Sequence, residues 1–141
     1  MDISGWIERW ADFTPNKSAI LFGDENISYL ALIEKIRTCS RMLSGPLGVR
    51  HGDRVAFLGF NSADFLILMF ACARLGAMMV PLNWRLTPDE HCYMLDHASA
   101  SVLLVEPEFE ASITKIQDRL GGCCMIRYGT TDERWMSFPE L

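Results

Sequence analysis

Positive charge is scarce in this sequence. Thirteen Lys and Arg stand against 18 Asp and Glu in 141 residues, a formal net charge of −5. No basic patch offsets that balance, so the electrostatic footprint of a nucleic-acid binder is missing. Long apolar runs are missing too. The longest, FLILMFACA from Phe65 to Ala73, is ended by Arg74, far short of the ~20 residues needed to cross a bilayer. The N-terminus, MDISGWIERWADF, has acids and two Trp but no basic stretch leading into an apolar one, so it does not read as a secretory signal. The five cysteines form no framework. Cys39, Cys72 and Cys92 are isolated, Cys123 and Cys124 are adjacent, and no Cys-x-x-Cys occurs. Adjacent cysteines are poorly placed to pair with each other. The simplest reading is reduced core thiols in a reducing compartment. Three catalytic signatures are also absent: the Gly-x-x-x-x-Gly-Lys-Ser/Thr loop, a Gly-x-Gly-x-x-Gly after a strand, and the Gly-x-Ser-x-Gly elbow.

What is present suits a folded domain. Half the residues are hydrophobic and 22% are charged, which argues against intrinsic disorder. The length fits one domain able to bury roughly two thirds of its unfolded surface. The expectation is a soluble, cytoplasmic globular piece.

After Ser28 helices and strands alternate. Tyr29, Leu32, Ile33, Ile36, Ser40 and Leu43 fall at helical spacing, with Glu34, Lys35, Arg37 and Arg41 on the other face and Gly45-Pro46 as the stop. Arg54–Phe60 reads as a buried strand. Asn61 or Ser62 can cap a helix over Ala63–Leu75, which Gly76 ends before a second strand, AMMVPL. Thr87-Pro88-Asp89-Glu90 is a strong helix start, with Thr87 as N-cap and Glu90 completing a capping box. Ser101–Glu106 predicts a strand. Phe109, Ile113, Ile116 and Leu120 predict an amphipathic helix stopped by Gly121-Gly122, and CCMIR a last strand. The tail from Gly129 reads as turn-like and polar, with Trp135 and Phe138 as anchors.

Short apolar strands alternating with helices imply an α/β fold: a parallel sheet with helices on both faces. The Ala63–Leu75 helix is apolar nearly all round and too short to span a membrane, so it must be buried on both sides. A two-layer domain would leave part of it bare, which predicts a further layer of protein over it.

The titratable residues give no catalytic or metal constellation. His91 and His97 share a helix but lie about 240° apart around its axis. Cys92 and Asp96 share a face, yet two ligands do not make a site. His51 lies in a turn and is expected to be exposed. Gly129-Thr130-Thr131 could open an anion-binding loop, but Asp132 and Glu133 follow, and no Lys occurs after Lys115. It reads as a surface turn.

An ordered series of short motifs is more specific than any one of them. Trp10-Ala11 is followed by Thr14-Pro15-Asn16-Lys17-Ser18-Ala19-Ile20, then by Ser28-Tyr29 with Leu32. Next come Gly48-Val49, Gly52-Asp53-Arg54-Val55-Ala56, Asn61-Ser62 with Phe65, and Ala73-Arg74-Leu75-Gly76-Ala77. The series closes on Pro81-Leu82-Asn83-Trp84-Arg85-Leu86. Taken together it resembles the N-terminal part of the acyl-CoA synthetases, the adenylate-forming (AMP-binding) ligases, with the last motif close to the fatty-acyl form. The resemblance covers nearly the whole chain. It departs from the family in lacking the phosphate loop Tyr-Thr-Ser-Gly-Thr-Thr-Gly-x-Pro-Lys-Gly, which Gly129-Thr130-Thr131 does not replace.

The resemblance implies that residues 1–141 are the N-terminal fragment of a larger multilayer adenylate-forming domain, with no complete second domain. The parent would be an acid–CoA ligase of fatty or other carboxylic acids. It would use ATP and Mg²⁺ to make an acyl-adenylate and then pass the acyl group to CoA. The fragment holds no catalytic residue and no metal ligand, and on its own is expected to be inactive and to bind none of these cofactors. Cofactor-binding positions carried over are Arg85 and Asn83, toward the nucleotide end of CoA; the plainer reading is that Arg85 braces the connection into Thr87. A homodimer is one assembly the resemblance allows. The alternatives are a stand-alone α/β interaction or binding module, and a pseudoenzyme derived from the ligase fold. A receiver-like module would want strand-end acids and a late Lys, and only Glu106 is offered.

Overall fold

The computed structural model describes residues 3–128 and 136–138. The elements run α1 (Ser4–Phe13), β1 (Ser18–Phe22), β2 (Glu25–Ser28), α2 (Tyr29–Ser44), β3 (Arg54–Leu58), α3 (Ala63–Leu75) and β4 (Met78–Leu82). They continue with α4 (Pro88–Ala98), β5 (Val102–Val105), α5 (Glu110–Thr114), β6 (Cys124–Tyr128) and β7 (Met136–Phe138). Single 3₁₀ turns occupy Pro107–Phe109 and Gln117–Arg119. Two compact units divide the chain, one holding the residues up to His51 with Asn61–Ala77, the other Gly52–Phe60 with the residues from Met78 on.

The first unit is a group of three helices with a small hairpin. Ser28 caps α2, its hydroxyl accepting from the Ala31 amide, and Leu32, Ile33, Ile36, Cys39, Ser40 and Leu43 are buried along one stripe. That is the periodicity the sequence predicts. Ser62 caps α3 in the same way, and Gly76 ends it in the left-handed conformation with φ +68°. Helix α3 packs on α2 and α1. The Glu8 carboxylate of α1 ties the three together, accepting from Arg37 of α2 at 3.4 Å and Arg74 of α3 at 2.7 Å. Those guanidiniums, Arg74 first, hold Glu8 below the usual carboxylate range against an opposing push from burial. Burial raises the Cys39 thiol strongly and pushes Cys72 up to about 12. Both are inert core thiols, as the apolar settings suggested.

The second unit is a five-stranded sheet in the order β4-β3-β5-β6-β7, parallel throughout. Parallel neighbours need long connections, and α4 supplies the one between β4 and β5. Alternate strand residues fall on opposite faces, yet Val55, Ala56, Phe57 and Leu58 are all buried, and so are all four residues of β5. Continuous apolar runs are what a doubly covered parallel strand requires. One core cluster joins Ala56, Leu58, Leu103 and Val105 of the sheet to Cys92 and Leu95 of α4 and to Ile113, Ile116 and Leu120.

Four expectations change. The helix predicted from Phe109 to Leu120 is broken into a 3₁₀ turn, the five-residue α5 and a second 3₁₀ turn. None of these pieces has a side-chain cap, and a 12-residue helix without caps is marginal. Ile113, Ile116 and Leu120 are still buried. Second, Met136–Phe138, expected in a turn-like tail, pairs parallel with β6; main-chain pairing of three residues leaves no side-chain period to read. Gly129-Thr130-Thr131 and Trp135 lie outside the described residues. Third, α1 and the β1–β2 hairpin precede the point where alternation was seen. Fourth, α3 is not the bare element: Phe65, Leu66, Met69 and Phe70 are half-buried. None of the exposed large apolar side chains lies on α3, whereas Trp6, Trp10 and Phe13 of α1 are among them, Phe13 at 85%.

Candidate functional site

In an open parallel sheet, ligands bind beyond the carboxyl ends of the strands, where neighbouring strands connect in opposite directions. Strand β3 leads to β4 on one side and β5 leads to β6 on the other. The crevice between β3 and β5 is that point, and three chain segments meet there.

Glu106 follows β5 and closes the crevice. Its amide donates to the Leu58 carbonyl at 2.9 Å, and its carboxylate accepts from the Phe60 amide at 2.9 Å. The side chain lies so close over Gly59 that a Cβ there would sit 2.5 Å from Glu106 Cδ and 2.6 Å from Phe57 Cζ. Any larger residue at 59 would force the Glu106 and Phe57 side chains to move. Three rings meet beside that carboxylate, Phe60 standing edge to face with the other two. Phe60 is 5.4 Å from Trp84 and 5.0 Å from Phe109, and Trp84 is 6.3 Å from Phe109. Phe60 and Trp84 remain about two-fifths exposed, at 43% and 40%.

The turn after β4 carries Trp84 and Arg85. Asn83 Oδ1 accepts from the Arg85 amide at 3.0 Å, and the Asn83 carbonyl accepts from the Leu86 amide at 3.1 Å. A buried ring supports the same carbonyl: His91 Nε2 lies 2.9 Å from it. A carbonyl oxygen only accepts, so Nε2 carries the hydrogen and Nδ1 the lone pair. Nδ1 is buried with no hydrogen-bond partner among the described residues. The helix that follows is anchored by the predicted capping box. Thr87 accepts from the Glu90 amide while Glu90 Oε2 accepts from the Thr87 amide at 2.8 Å. That amide chiefly holds Glu90 below the usual carboxylate range.

Arg85 is exposed, and its guanidinium lies 4.4 Å over the Trp84 ring. It makes no ion pair or side-chain hydrogen bond among the described residues. The bracing expected of Arg85 is therefore done by Asn83, His91 and Glu90. A guanidinium held by a cation–π contact spends no hydrogen bond on that support, and its N–H donors suit a phosphate or carboxylate. Asn83, itself exposed, supports the turn through its carbonyl and Oδ1.

The other candidates do not converge. His91 is in the core, while His97 stacks on Tyr93 at 5.7 Å. Cys92 Sγ reaches Asp96 Oδ2 only at 3.9 Å. Among the described residues no group of three or more His, Cys, Asp or Glu could hold a metal ion. No helix among them is long and apolar enough to cross a membrane. Phe60, Phe109 and the support from His91 escape sequence reasoning. The one signal in the sequence is that Phe60, Trp84 and Phe109 each lie at or just beyond the end of a predicted strand.

Comparison with known proteins assigns this arrangement a family. The family described as "AMP-binding enzyme" matches residues 7–138. The indoleacetate–CoA ligase of Aromatoleum aromaticum is 40% identical over 141 residues, 100% of this chain and 28% of that protein. The feruloyl-CoA synthase of an Amycolatopsis species is 35% identical over 114 residues, 81% of this chain and 23% of that one. Among solved structures, the anthranilate CoA ligase AuaEII in complex with anthranoyl-AMP superposes with a TM-score of 0.90 at 29% identity, covering 97% of this chain and 27% of its own. A Mycobacterium tuberculosis fatty acyl CoA synthetase gives 0.84 at 26% identity, with 97% and 26% covered. The chain thus spans about a quarter of the length of these relatives.

Proposed function

The chain belongs to the AMP-binding enzymes, and from that premise we propose that it is the N-terminal part of an ATP-dependent acid–CoA ligase acting on an aryl-substituted carboxylic acid. The observation that carries this is the match to an indoleacetate–CoA ligase along all 141 residues. Feruloyl and anthranilate ligases among the relatives support the aromatic substrate over a fatty one. The fatty-acyl flavour of Pro81–Leu86 is then a feature of the shared scaffold.

The reaction has two displacements. A carboxylate oxygen attacks the α-phosphorus of ATP and pyrophosphate leaves; the CoA sulfur then attacks the acyl carbon and AMP leaves. The residues of this chain bind and orient in that scheme. The Asn83–Leu86 turn offers Arg85 to a phosphate of CoA, a charge-assisted contact worth ~1.5–3 kcal/mol. The rest of the chemistry falls to residues beyond these, so residues 1–141 alone form no adenylate. Five free thiols support a reducing, cytoplasmic setting.

The test is to purify the complete polypeptide that carries these residues and supply ATP, CoA and a panel of acids: indoleacetate, ferulate, anthranilate and palmitate. Acid-dependent AMP release and an aryl-CoA product are expected, with palmitate poorest. Absence of AMP release with every acid overturns the ligase reading; preference for palmitate overturns the substrate class. Arg85→Ala should raise KM for CoA about ten-fold, ~1.4 kcal/mol, and leave KM for ATP unmoved.

A further inference from the structure

We propose that Trp84 is a positioning residue for Arg85, holding the guanidinium in the orientation that receives a CoA phosphate. This rests on the ligase reading above and deepens it. A free Arg side chain is spread over many rotamers, and binding must immobilise it at a cost. Here that ordering is done in advance. The guanidinium carbon lies 4.4 Å from the centroid of the indole, a cation–π contact rather than a hydrogen bond. The indole is itself held, edge-on to Phe60 at 5.4 Å and against Phe109 at 6.3 Å. Phe60 is fixed through its amide to Glu106. Beneath, the turn is pinned by Asn83 and by the buried His91. The supports come from the segments that follow β3, β4 and β5, so the Arg85 fork stands on a platform built from three neighbouring strand ends. Trp84 does not touch the acid or ATP in this scheme, and its effect is confined to CoA.

The experiment is steady-state kinetics on the complete polypeptide, with CoA, ATP and acid varied in turn. Trp84→Leu keeps bulk and removes the ring face; Trp84→Phe keeps a ring face. Loss of the stack should raise KM for CoA about 3- to 5-fold, with kcat and the KM values for ATP and acid unchanged. Trp84→Phe should stay within about two-fold of the parent. Combined with Arg85→Ala, Trp84→Leu should add nothing further. Equal KM for CoA in Trp84→Leu and the parent overturns the proposal, and so does full additivity with Arg85→Ala. A fall in kcat with all KM values shifted marks a merely structural role and overturns it too. Turnover with CoA that Arg85→Ala leaves intact removes the Arg85 contact and this inference with it. Absence of acyl-CoA formation in the parent is the separate failure of the ligase reading.

Discussion

Gly76→Ala tests how α3 is stopped. Gly76 has φ +68° and ψ 20°, and its amide reaches the Ala73 carbonyl at 3.1 Å while the Ala77 amide reaches Cys72 at 2.9 Å. Those bonds satisfy the last carbonyls of the helix only if residue 76 is left-handed. An alanine there carries a conformational penalty of ~1–2 kcal/mol. Its Cβ would also overlap His51 Cδ2 and lie 3.1 Å from Nε2. His51 is exposed, so the ring can swing away, at ~0.5–1.5 kcal/mol for an off-rotamer position. Against these stands a gain of ~0.4–1 kcal/mol from the stiffer unfolded chain. The net expected loss is ~1–2 kcal/mol. Urea unfolding of Gly76→Ala, alone and in the His51→Ala background, measures both parts. The loss should shrink by ~0.5–1 kcal/mol once the ring is gone. An unchanged midpoint for Gly76→Ala would refute the backbone argument. The same loss in both backgrounds would refute the steric one.

Two further stability tests accompany the kinetic ones. Thr87→Ala should cost ~1 kcal/mol through loss of the N-cap to α4, read as a lower denaturation midpoint with unchanged slope. Glu8→Gln should cost no more than ~0.5–1 kcal/mol at neutral pH, since all three members of the ion-pair network are partly exposed. The carboxyl is depressed below 4.5 in the fold, so its contribution is full above that pH and is lost as pH falls below it. The two midpoints should therefore converge on acidification; a difference that persists in acid would mean Glu8 acts through packing.

Much of the fold is legible because its signals are local. Thr87-Pro88-Asp89-Glu90 specifies a capping box in four letters, and the box forms as read. The α2 stripe is a period of 3.6, and the α3 boundaries are set by Ser62 and Gly76. What failed depends on length or on partners outside the local pattern. The Phe109–Leu120 stretch has helical spacing but no caps, and breaks. Helix α1 has its apolar residues exposed, so no burial pattern marks it. The surplus apolar surface expected on α3 is found on α1, because α2 and α1 cover α3 in a way that composition cannot show.

The candidate site was legible at one corner only. Arg85 and Asn83 stand in one continuous motif, so a family resemblance could point to them. Phe60, Trp84 and Phe109 come from three loops separated by more than twenty residues each, and their meeting depends on strand order. With β4 and β5 flanking β3, the ends of all three strands converge; with any other order the same residues would be scattered aromatics. His91 makes the same point within one helix. Its spacing from His97 excluded a shared metal but gave no hint that its ring reaches back to Asn83. The sheet order thus turns an exposed Arg on a turn into a fork with a prepared orientation. It is this non-local arrangement, rather than the motif, that the Trp84 and Arg85 double substitution interrogates.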